Sequence, residues 1–171
     1  MKALCVVAHP DDCVIFGYSY IYNHPELTWT ICYLTYCEWE PRAKELKEFW
    51  KKRNINCVFL GYTDDYRDIE NKKISFNEEQ ARRELNNIAK DYDLVLTHDE
   101  HGDYGHIHHV FVHDCVRDHP RLVVFAKPGE GTTYTIPPGT YSLDELPMHG
   151  QVIAGFHGTQ HTNSYKEPQC T

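Results

Sequence analysis

Residues 6–17, VVAHPDDCVIFG, form an apolar run that breaks into one imidazole and two adjacent carboxylates before it becomes apolar again. Residues 3–8 (ALCVVA) predict a buried strand, and residues 14–24 (VIFGYSYIYNH) predict a helix after it. Neighbouring carboxylates repel each other and are costly to desolvate unless a positive charge lies between them. Asp11 and Asp12 therefore indicate a cation site at the strand end, although an Asp pair there also commonly serves as a helix N-cap.

The rest of the chain alternates β-branched or aromatic runs with longer amphipathic segments. Further strands are predicted at 27–35, 55–62, 93–99 and 121–126, and further helices at 40–54, 76–91, 106–119 and 142–158. Residues 63–75 predict a loop or small hairpin, residues 128–141 predict a Gly/Pro-rich connection, and residues 162–171 show no pattern. Alternating strands and helices predict an α/β, Rossmann-like three-layer sandwich. We expect one domain, residues 1–171, with a mostly parallel sheet of about five strands and helices on both faces.

Composition excludes several classes of function. The chain has 171 residues, 41% of them hydrophobic and 25% charged, which is ordinary for one globular domain. No apolar run approaches the roughly 18 residues of a membrane span, and the short N-terminal run lacks signal-peptide features, so we expect a cytoplasmic protein. The net charge of −8 argues against binding to a nucleic-acid backbone or an anionic membrane. The seven scattered cysteines, with no CxxC pair, are expected to be reduced thiols.

Histidines are concentrated in one part of the chain: six of the twelve lie between positions 98 and 113. Residues that follow parallel strands meet at one edge of the sheet, so we expect this segment to approach His9–Asp12. Helical spacing places His109 on one face with His106, and also with His113. Two imidazoles and one carboxylate are the protein ligands of a catalytic zinc site that keeps an open position. A His-rich helix face is commonly only solvated surface, but the predicted convergence of the two segments favours metal binding.

Four segments resemble one enzyme family. AHPDD (8–12) followed by VIFG resembles the opening motif of the LmbE/PIG-L family of zinc-dependent de-N-acetylases, and GDYGHIHHV (102–110) is similar to its Gly-His-Pro-Asp-His motif. Residues 42–64 resemble its Arg-x-x-Glu helix and Leu-Gly-x-x-Asp strand end, and HGTQ (157–160) resembles its His-x-Ser-Gln segment. The resemblance covers nearly the whole chain in the expected order. It implies a hydrolase that removes an N-acetyl group from an N-acetylglucosamine-type sugar or sugar conjugate.

The resemblance also implies roles for individual residues. His9, Asp12 and His109 would bind Zn²⁺, although such ligands also accept other divalent metals. Asp11 would be the general base on the attacking water and then the general acid toward the leaving amine. His106 would stabilise the oxyanion.

Two further residues are candidates for substrate binding. Arg42 is interpreted either as a clamp on a sugar hydroxyl or phosphate or as a solvated helix cation. Asp64 is interpreted either as an acceptor for sugar hydroxyls or as a turn residue.

The chain departs from the family pattern at two positions. Cys13 stands where the family has glutamate, and it is interpreted as a fourth ligand, a redox-sensitive thiol or, as we expect, a packed side chain. His108 stands where the family has the aspartate that orients the first histidine of the motif. Without that carboxylate the pKa of His106 is expected to be lower, and Asp99 or Asp103 is a hypothetical substitute.

The remaining histidines have less specific interpretations. His98, His101 and His108 are expected in a surface loop or around the site without binding the metal. His113 is an alternative to His109 as ligand if the helix begins later than predicted.

Three hypotheses for function follow. The first is a metal-dependent deacetylase acting on a small acetamido-sugar substrate. The second keeps the metal but hydrolyses another small amide, such as an N-acyl nucleotide. The third is a zinc-binding module without catalysis. Two measurements distinguish the three hypotheses: the release of acetate and the metal content of the protein.

Overall fold

The computed structural model describes residues 1–137, 140 and 162–168. In this part of the chain a seven-stranded sheet carries helices on both faces. The strands are β1 (Lys2–Val7), β2 (Thr28–Thr35), β3 (Asn56–Tyr62), β4 (Leu94–Thr97), β5 (Leu122–Ala126), β6 (Thr132–Thr135) and β7 (Thr162–Lys166). A π-helical turn (Cys13–Gly17) leads into α1 (Tyr18–Asn23), and the other helices are α2 (Pro41–Lys51), α3 (Arg67–Asn71), α4 (Glu78–Ala89) and α5 (Ile107–Val116).

The strand order is β3-β2-β1-β4-β5-β7-β6, and β1 to β5 are all parallel. Strand β1 is central, and its residues Ala3–Val7 are apolar and buried, so alternate side chains pack on opposite faces. Ala3, Cys5 and Val7 pack in one core cluster with residues of α1 and α2. Leu4 and Val6 pack in a second cluster with residues of α4 and α5. The predicted three-layer α/β architecture is therefore confirmed.

The sheet is larger than the predicted five strands. Strand β6 lies in the segment predicted as a Gly/Pro-rich connection, and β7 lies in the tail that showed no pattern; β7 pairs antiparallel with both β5 and β6. Both strands are short and polar, so hydrophobic periodicity gives no signal for them. Tertiary contacts hold β7 in place, because the buried Tyr165 hydroxyl lies 2.6 Å from Ser19 Oγ and accepts the Tyr20 N–H at 3.2 Å.

Local predictions agree for most of the described helices and for the first five strands, and differ at two places. The segment predicted as a loop or hairpin contains the short helix α3, which begins directly after Asp65 and Tyr66. The first turn of the predicted helix at 14–24 is π-helical rather than α-helical. The predicted helix at 142–158 and the HGTQ segment lie outside the described residues.

The topology decides where a ligand site can form. From β1 the chain moves outward to β2 and β3, and then returns to place β4 on the other side of β1. The strand order therefore reverses between β1 and β4, and open α/β sheets bind ligands beyond the carboxyl ends of the strands at this point. The segments that follow β1 and β4 are His9–Asp12 and His98–His106.

In residues 1–137, 140 and 162–168 no helix is both long enough and apolar enough to cross a bilayer.

Candidate metal and catalytic site

Three donor atoms from His9, Asp12 and His109 form a nearly equilateral triangle. His9 Nδ1 lies 3.2 Å from His109 Nε2 and 3.2 Å from Asp12 Oδ2, and the last two atoms are 3.3 Å apart. Donors bound to a tetrahedral zinc ion at its usual bond lengths lie about 3.3 Å from one another. All three residues are buried. The predicted ligand triad is thus brought together at a spacing that fits a divalent metal ion.

His109 is oriented by a carboxylate behind it. Its Nδ1 lies 2.8 Å from Asp103 Oδ2, so the Nδ1 proton is donated there and Nε2 faces Asp12 and His9 with a lone pair. The ring of the buried His98 stacks on that of His109 at 3.8 Å, and its Nδ1 lies 2.5 Å from the same Asp103 oxygen. Hydrogen bonding of this kind is typical of the groups that support metal-binding histidines.

His9 is supported through a second imidazole rather than directly by a carboxylate. Its Nε2 lies 3.1 Å from His108 Nδ1, and the opposite nitrogen of His108, Nε2, lies 2.8 Å from Asp68 Oδ2. His108 is fully buried and Asp68 nearly so. Ser75 donates to the same Asp68 oxygen from its backbone N–H at 3.1 Å and its hydroxyl at 3.2 Å. A chain of contacts therefore runs from His9 through His108 to a fixed carboxylate.

Asp11 contacts a cation on its outer side. Arg42 donates from one terminal nitrogen to Asp11 Oδ1 at 3.2 Å, and from the other to the Tyr36 hydroxyl at 2.7 Å. The guanidinium also lies 4.9 Å from the centre of the Tyr36 ring. Arg42 is the second residue of α2, directly after Pro41, so the start of the helix fixes where the guanidinium lies. Arg42 thus contacts both Tyr36 and a predicted catalytic residue, Asp11.

His106 caps α5 and faces the ligand triad. Its Nδ1 accepts the backbone N–H of His108 at 3.1 Å, so a neutral His106 carries its proton on Nε2. The centre of its ring lies 4.5 Å from that of the His9 ring. The ring also stacks on that of His109 with a centre-to-centre distance of 4.8 Å, as the i, i+3 spacing of these two residues predicts. Burial lowers the pKa of His106 to about 3, and the neighbouring imidazoles act in the same direction. The expected lowering of the His106 pKa agrees with this result.

Asp12 keeps its charge despite complete burial. Burial alone would raise the pKa of Asp12, but His109 and His9 outweigh it and hold that pKa well below its usual range. The backbone N–H of His9 also donates to Asp12 Oδ2 at 2.7 Å. The carboxylate is therefore held in the anionic form that metal binding requires.

Candidate donors extend beyond this triangle. Asp64 Oδ1 lies 3.5 Å from His9 Nε2 and 4.0 Å from His108 Nδ1, with the Asp64 side chain about a quarter exposed. Besides the triangle, three groups of donor atoms lie within 4.8 Å of one another among the described residues: His9, His106 and His109; His9, Asp64 and His108; and Asp12, His98 and His109. These groups share members and therefore form one connected cluster.

Several sequence interpretations are resolved by these positions. Cys13 packs in the core, with its Sγ 3.5 Å from Cys5 Sγ, in agreement with the packed-side-chain interpretation. His113 Nδ1 lies 2.9 Å from the backbone carbonyl oxygen of His98, away from the donor triangle. Asp103, considered as a partner for His106, bonds His98 and His109 instead.

The residues that support the ligands are predicted only in part by the sequence. His98 and His108 are expected either in a surface loop or around the site, and the structure buries both beside the ligands, in agreement with the second interpretation. Asp68 lies in the segment predicted as a loop or small hairpin, and no role is predicted for it. A cluster of acidic residues after β3, TDDYRD, was the only available signal for it.

Comparison with known proteins places the chain in a family. A family model described as PIG-L: GlcNAc-PI de-N-acetylase matches residues 4–119, which include every member of the donor triangle. The chain belongs to the PIG-L family. The resemblance inferred from the sequence motifs is therefore confirmed. A relative, the uncharacterized protein L374 of Acanthamoeba polyphaga mimivirus, is 28% identical over 142 residues, or 71% of this chain. The chain spans 60% of the length of that viral protein.

Solved structures share this PIG-L fold at low sequence identity. GalB, the 4-carboxy-2-hydroxymuconate hydratase from Pseudomonas putida KT2440, is 14% identical with a TM-score of 0.66, over 99% of this chain and 98% of that one. N,N'-diacetylchitobiose deacetylase from Pyrococcus horikoshii is 17% identical with a TM-score of 0.63, over 98% and 83%. A deacetylase of teicoplanin biosynthesis is 12% identical with a TM-score of 0.59, over the whole of both chains.

Proposed function

We propose that this PIG-L family member is a metal-dependent de-N-acetylase that acts on a small, uncharged acetamido sugar or sugar conjugate. The observation that carries the proposal is the donor triangle of His9, Asp12 and His109, with the Asp11 carboxylate directly beside it in sequence. Family membership supports the reaction class, and the donor spacing supports the metal.

His9 Nδ1, Asp12 Oδ2 and His109 Nε2 would hold the ion, and Zn²⁺ suits two imidazoles with one carboxylate. When bound, such an ion supplies a Lewis acid that acidifies water and polarises an amide carbonyl. The hydrogen bond from His109 to Asp103 fixes the tautomer that this ligand set requires.

Asp11 acts as the proton carrier. Its carboxylate takes one proton from the water whose oxygen attacks the acetyl carbon, and then delivers it to the nitrogen as the C–N bond breaks. The products are acetate and a free amine. The Arg42 contact at 3.2 Å orients the Asp11 carboxylate from its outer side. Tyr36 in turn positions the guanidinium, because its hydroxyl accepts from Arg42.

His106 stabilises the charge that develops on the acetyl oxygen. The backbone N–H of His108 occupies its Nδ1, so its Nε2–H is the group left to donate. A neutral imidazole in this position acts as a hydrogen-bond donor of fixed orientation and needs no protonation.

The surroundings of the site support an uncharged sugar as substrate. Trp39, Tyr66 and Tyr104 are exposed, and they stand on the loops that follow β2, β3 and β4 at the carboxyl edge of the sheet. Exposed aromatic side chains grouped at one edge are typical of a ligand-binding surface. The carboxylates of Asp11 and Asp64 and the net charge of −8 disfavour an anionic substrate. The Asp64 side chain is partly exposed and would accept hydrogen bonds from sugar hydroxyls.

The test measures acetate released by the zinc-loaded protein from N-acetylglucosamine, its oligosaccharides and conjugates, and N-acyl nucleotides. We expect release from at least one acetamido sugar, loss of release after metal removal, and recovery when a divalent ion is returned. Release only from N-acyl nucleotides would replace the sugar with another amide. A protein that binds one ion but releases no acetate would contradict catalysis.

A hydratase assay on 4-carboxy-2-hydroxymuconate belongs in the same screen, because GalB has the same fold and is named for that reaction. Hydration of this compound without release of acetate from any acetamido compound would overturn the proposal.

A further inference from the structure

We propose that His108 and Asp68 form an outer hydrogen-bonded chain that positions His9 and strengthens its binding of the metal ion. This inference rests on the proposed metal site. Position 108 carries aspartate in the family motif, so the chain of His9, His108 and Asp68 is a feature of this sequence rather than of the motif.

Proton counting fixes the direction of each bond. A neutral imidazole has one N–H and one acceptor nitrogen, so a His9 that offers Nδ1 to the ion carries its proton on Nε2. That proton points to His108 Nδ1, 3.1 Å away, which must then be an acceptor. His108 therefore carries its own proton on Nε2 and donates it to Asp68 Oδ2 at 2.8 Å. Every group is satisfied without a further charge.

The carboxylate end of this chain is rigid. Asp68 is buried within α3, and both donors from Ser75 hold the same carboxylate oxygen that accepts from His108. A fixed anion at the far end polarises both imidazoles toward the ion, which makes His9 Nδ1 a stronger donor. His109 receives the same support from Asp103 directly, so each metal-binding imidazole is backed by a carboxylate.

A second metal ion between His9 Nε2, His108 Nδ1 and Asp64 Oδ1 is the competing arrangement. These atoms lie 3.1, 3.5 and 4.0 Å apart, so distance alone permits it. It would require His9 to bind ions through both ring nitrogens and therefore to lose its last ring proton. The hydrogen-bonded chain has no such requirement, and it accounts for the orientation of His108 toward Asp68.

The experiment measures the Zn²⁺ dissociation constant by chelator competition, the number of ions bound, and the visible spectrum of the Co²⁺ form. The wild-type protein is expected to bind one ion at the triangle. His108→Ala should weaken binding about 10- to 100-fold and shift the Co²⁺ bands, and Asp68→Asn should weaken binding about 10-fold. His108→Asn, whose amide oxygen can accept from His9, should recover most of the loss.

Two control variants separate this role from packing. Phe76→Leu replaces the ring whose centre lies 5.4 Å from that of the His108 ring, and it leaves the hydrogen bonds of His108 intact. His101→Ala removes a histidine that lies outside the chain of hydrogen bonds. Both should keep the Zn²⁺ dissociation constant within about threefold of wild type. If His108→Ala fails to fold, Asp68→Asn and His108→Asn carry the comparison.

Three results would overturn the inference, and they are distinguishable. Unchanged affinity and Co²⁺ spectrum in His108→Ala and Asp68→Asn would refute the chain while leaving the metal site intact. Two ions in the wild type and one in His108→Ala would assign His108 to a second metal site. A wild-type protein that binds no divalent ion would refute the proposed function together with this inference.

Discussion

The Nδ1 atom of His9 lies 3.2 Å from the Nε2 atom of His109, although one hundred residues separate them in the sequence. The two side chains meet because β1 and β4 are parallel neighbours, with Ala3 opposite Leu94 and Val6 opposite Thr97. His9 lies two residues after the end of β1, and His109 lies in the helix that begins after β4. The pairing of these two strands thus creates the donor pair.

His109→Ala should abolish specific binding of a divalent ion, because it removes one of the three donors in the triangle. The measurement is a Zn²⁺ dissociation constant by chelator competition. His113→Ala is the matched control, since His113 lies one turn further along α5 and contacts the carbonyl of His98. If His113→Ala lost the ion and His109→Ala kept it, the ligand assignment would be wrong.

Asp11→Asn should keep the ion and lower kcat about 10²- to 10⁴-fold, because the amide cannot accept the proton of the attacking water. The measurement combines metal content with the rate of acetate release on whichever acetamido sugar is turned over. Full activity in this variant would rule out Asp11 as the proton carrier.

Arg42→Met should lower kcat about tenfold with a smaller change in KM, because Arg42 holds the Asp11 carboxylate at 3.2 Å. Tyr36→Phe removes only the hydroxyl that accepts from Arg42 at 2.7 Å, so its effect should be in the same direction but smaller. A large rise in KM with kcat preserved would instead make Arg42 a clamp on the substrate.

Gly102→Ala should destabilise the loop between β4 and α5. Gly102 has a φ of +70°, and a Cβ atom there would lie 2.6 Å from the backbone oxygen of His106. We expect a loss of about 1–3 kcal/mol in the free energy of unfolding, measured with urea. Gly105→Ala is the matched control, because Gly105 also has a positive φ but its Cβ would meet no atom within 4 Å. Equal losses in both variants would contradict a role for the steric contact.

Stability should fall in alkaline solution. Burial raises the pKa of the Cys32 and Cys115 thiols to about 12. Unfolded cysteine ionises near pH 8.5, so above that pH the unfolded chain loses protons that the folded chain keeps. The contribution of these protonated thiols to the free energy of unfolding is therefore complete below about pH 8.5 and is lost progressively toward pH 12. The urea midpoint should drop between pH 8 and pH 11, and the drop should be shallower in Cys32→Ala. An identical pH slope in wild type and Cys32→Ala would contradict this origin.

The predictable part of the molecule is the part governed by hydrophobic pattern. Buried parallel strands such as β1 have continuous apolar sequences, and polar residues at their ends stand out. This is why a cation site with His9 and Asp12 could be predicted at the end of β1. The i, i+3 spacing of His106 and His109 likewise follows from helix geometry.

The unpredicted part depends on contacts between distant segments. Strand β7 has a polar sequence, and the hydroxyl of its Tyr165 contacts residues of α1. Asp68 and His108 support His9 from two different helices, and no local pattern connects their positions. Asp103 adopts a left-handed backbone with φ of +63°, which its sequence context did not indicate.

The pairing of β1 with β4 also sets an order of events during folding. Strand pairs that are about ninety residues apart form slowly, because the entropy of closing the intervening chain is lost before the contacts compensate for it. Helices α2 and α4 can form locally during this time, but the triangle of donors cannot exist until the central pair has joined. Refolding in the presence of Co²⁺ should therefore give a visible absorption band only after far-UV ellipticity has largely recovered. The rate at which this band appears would measure the formation of the donor triangle.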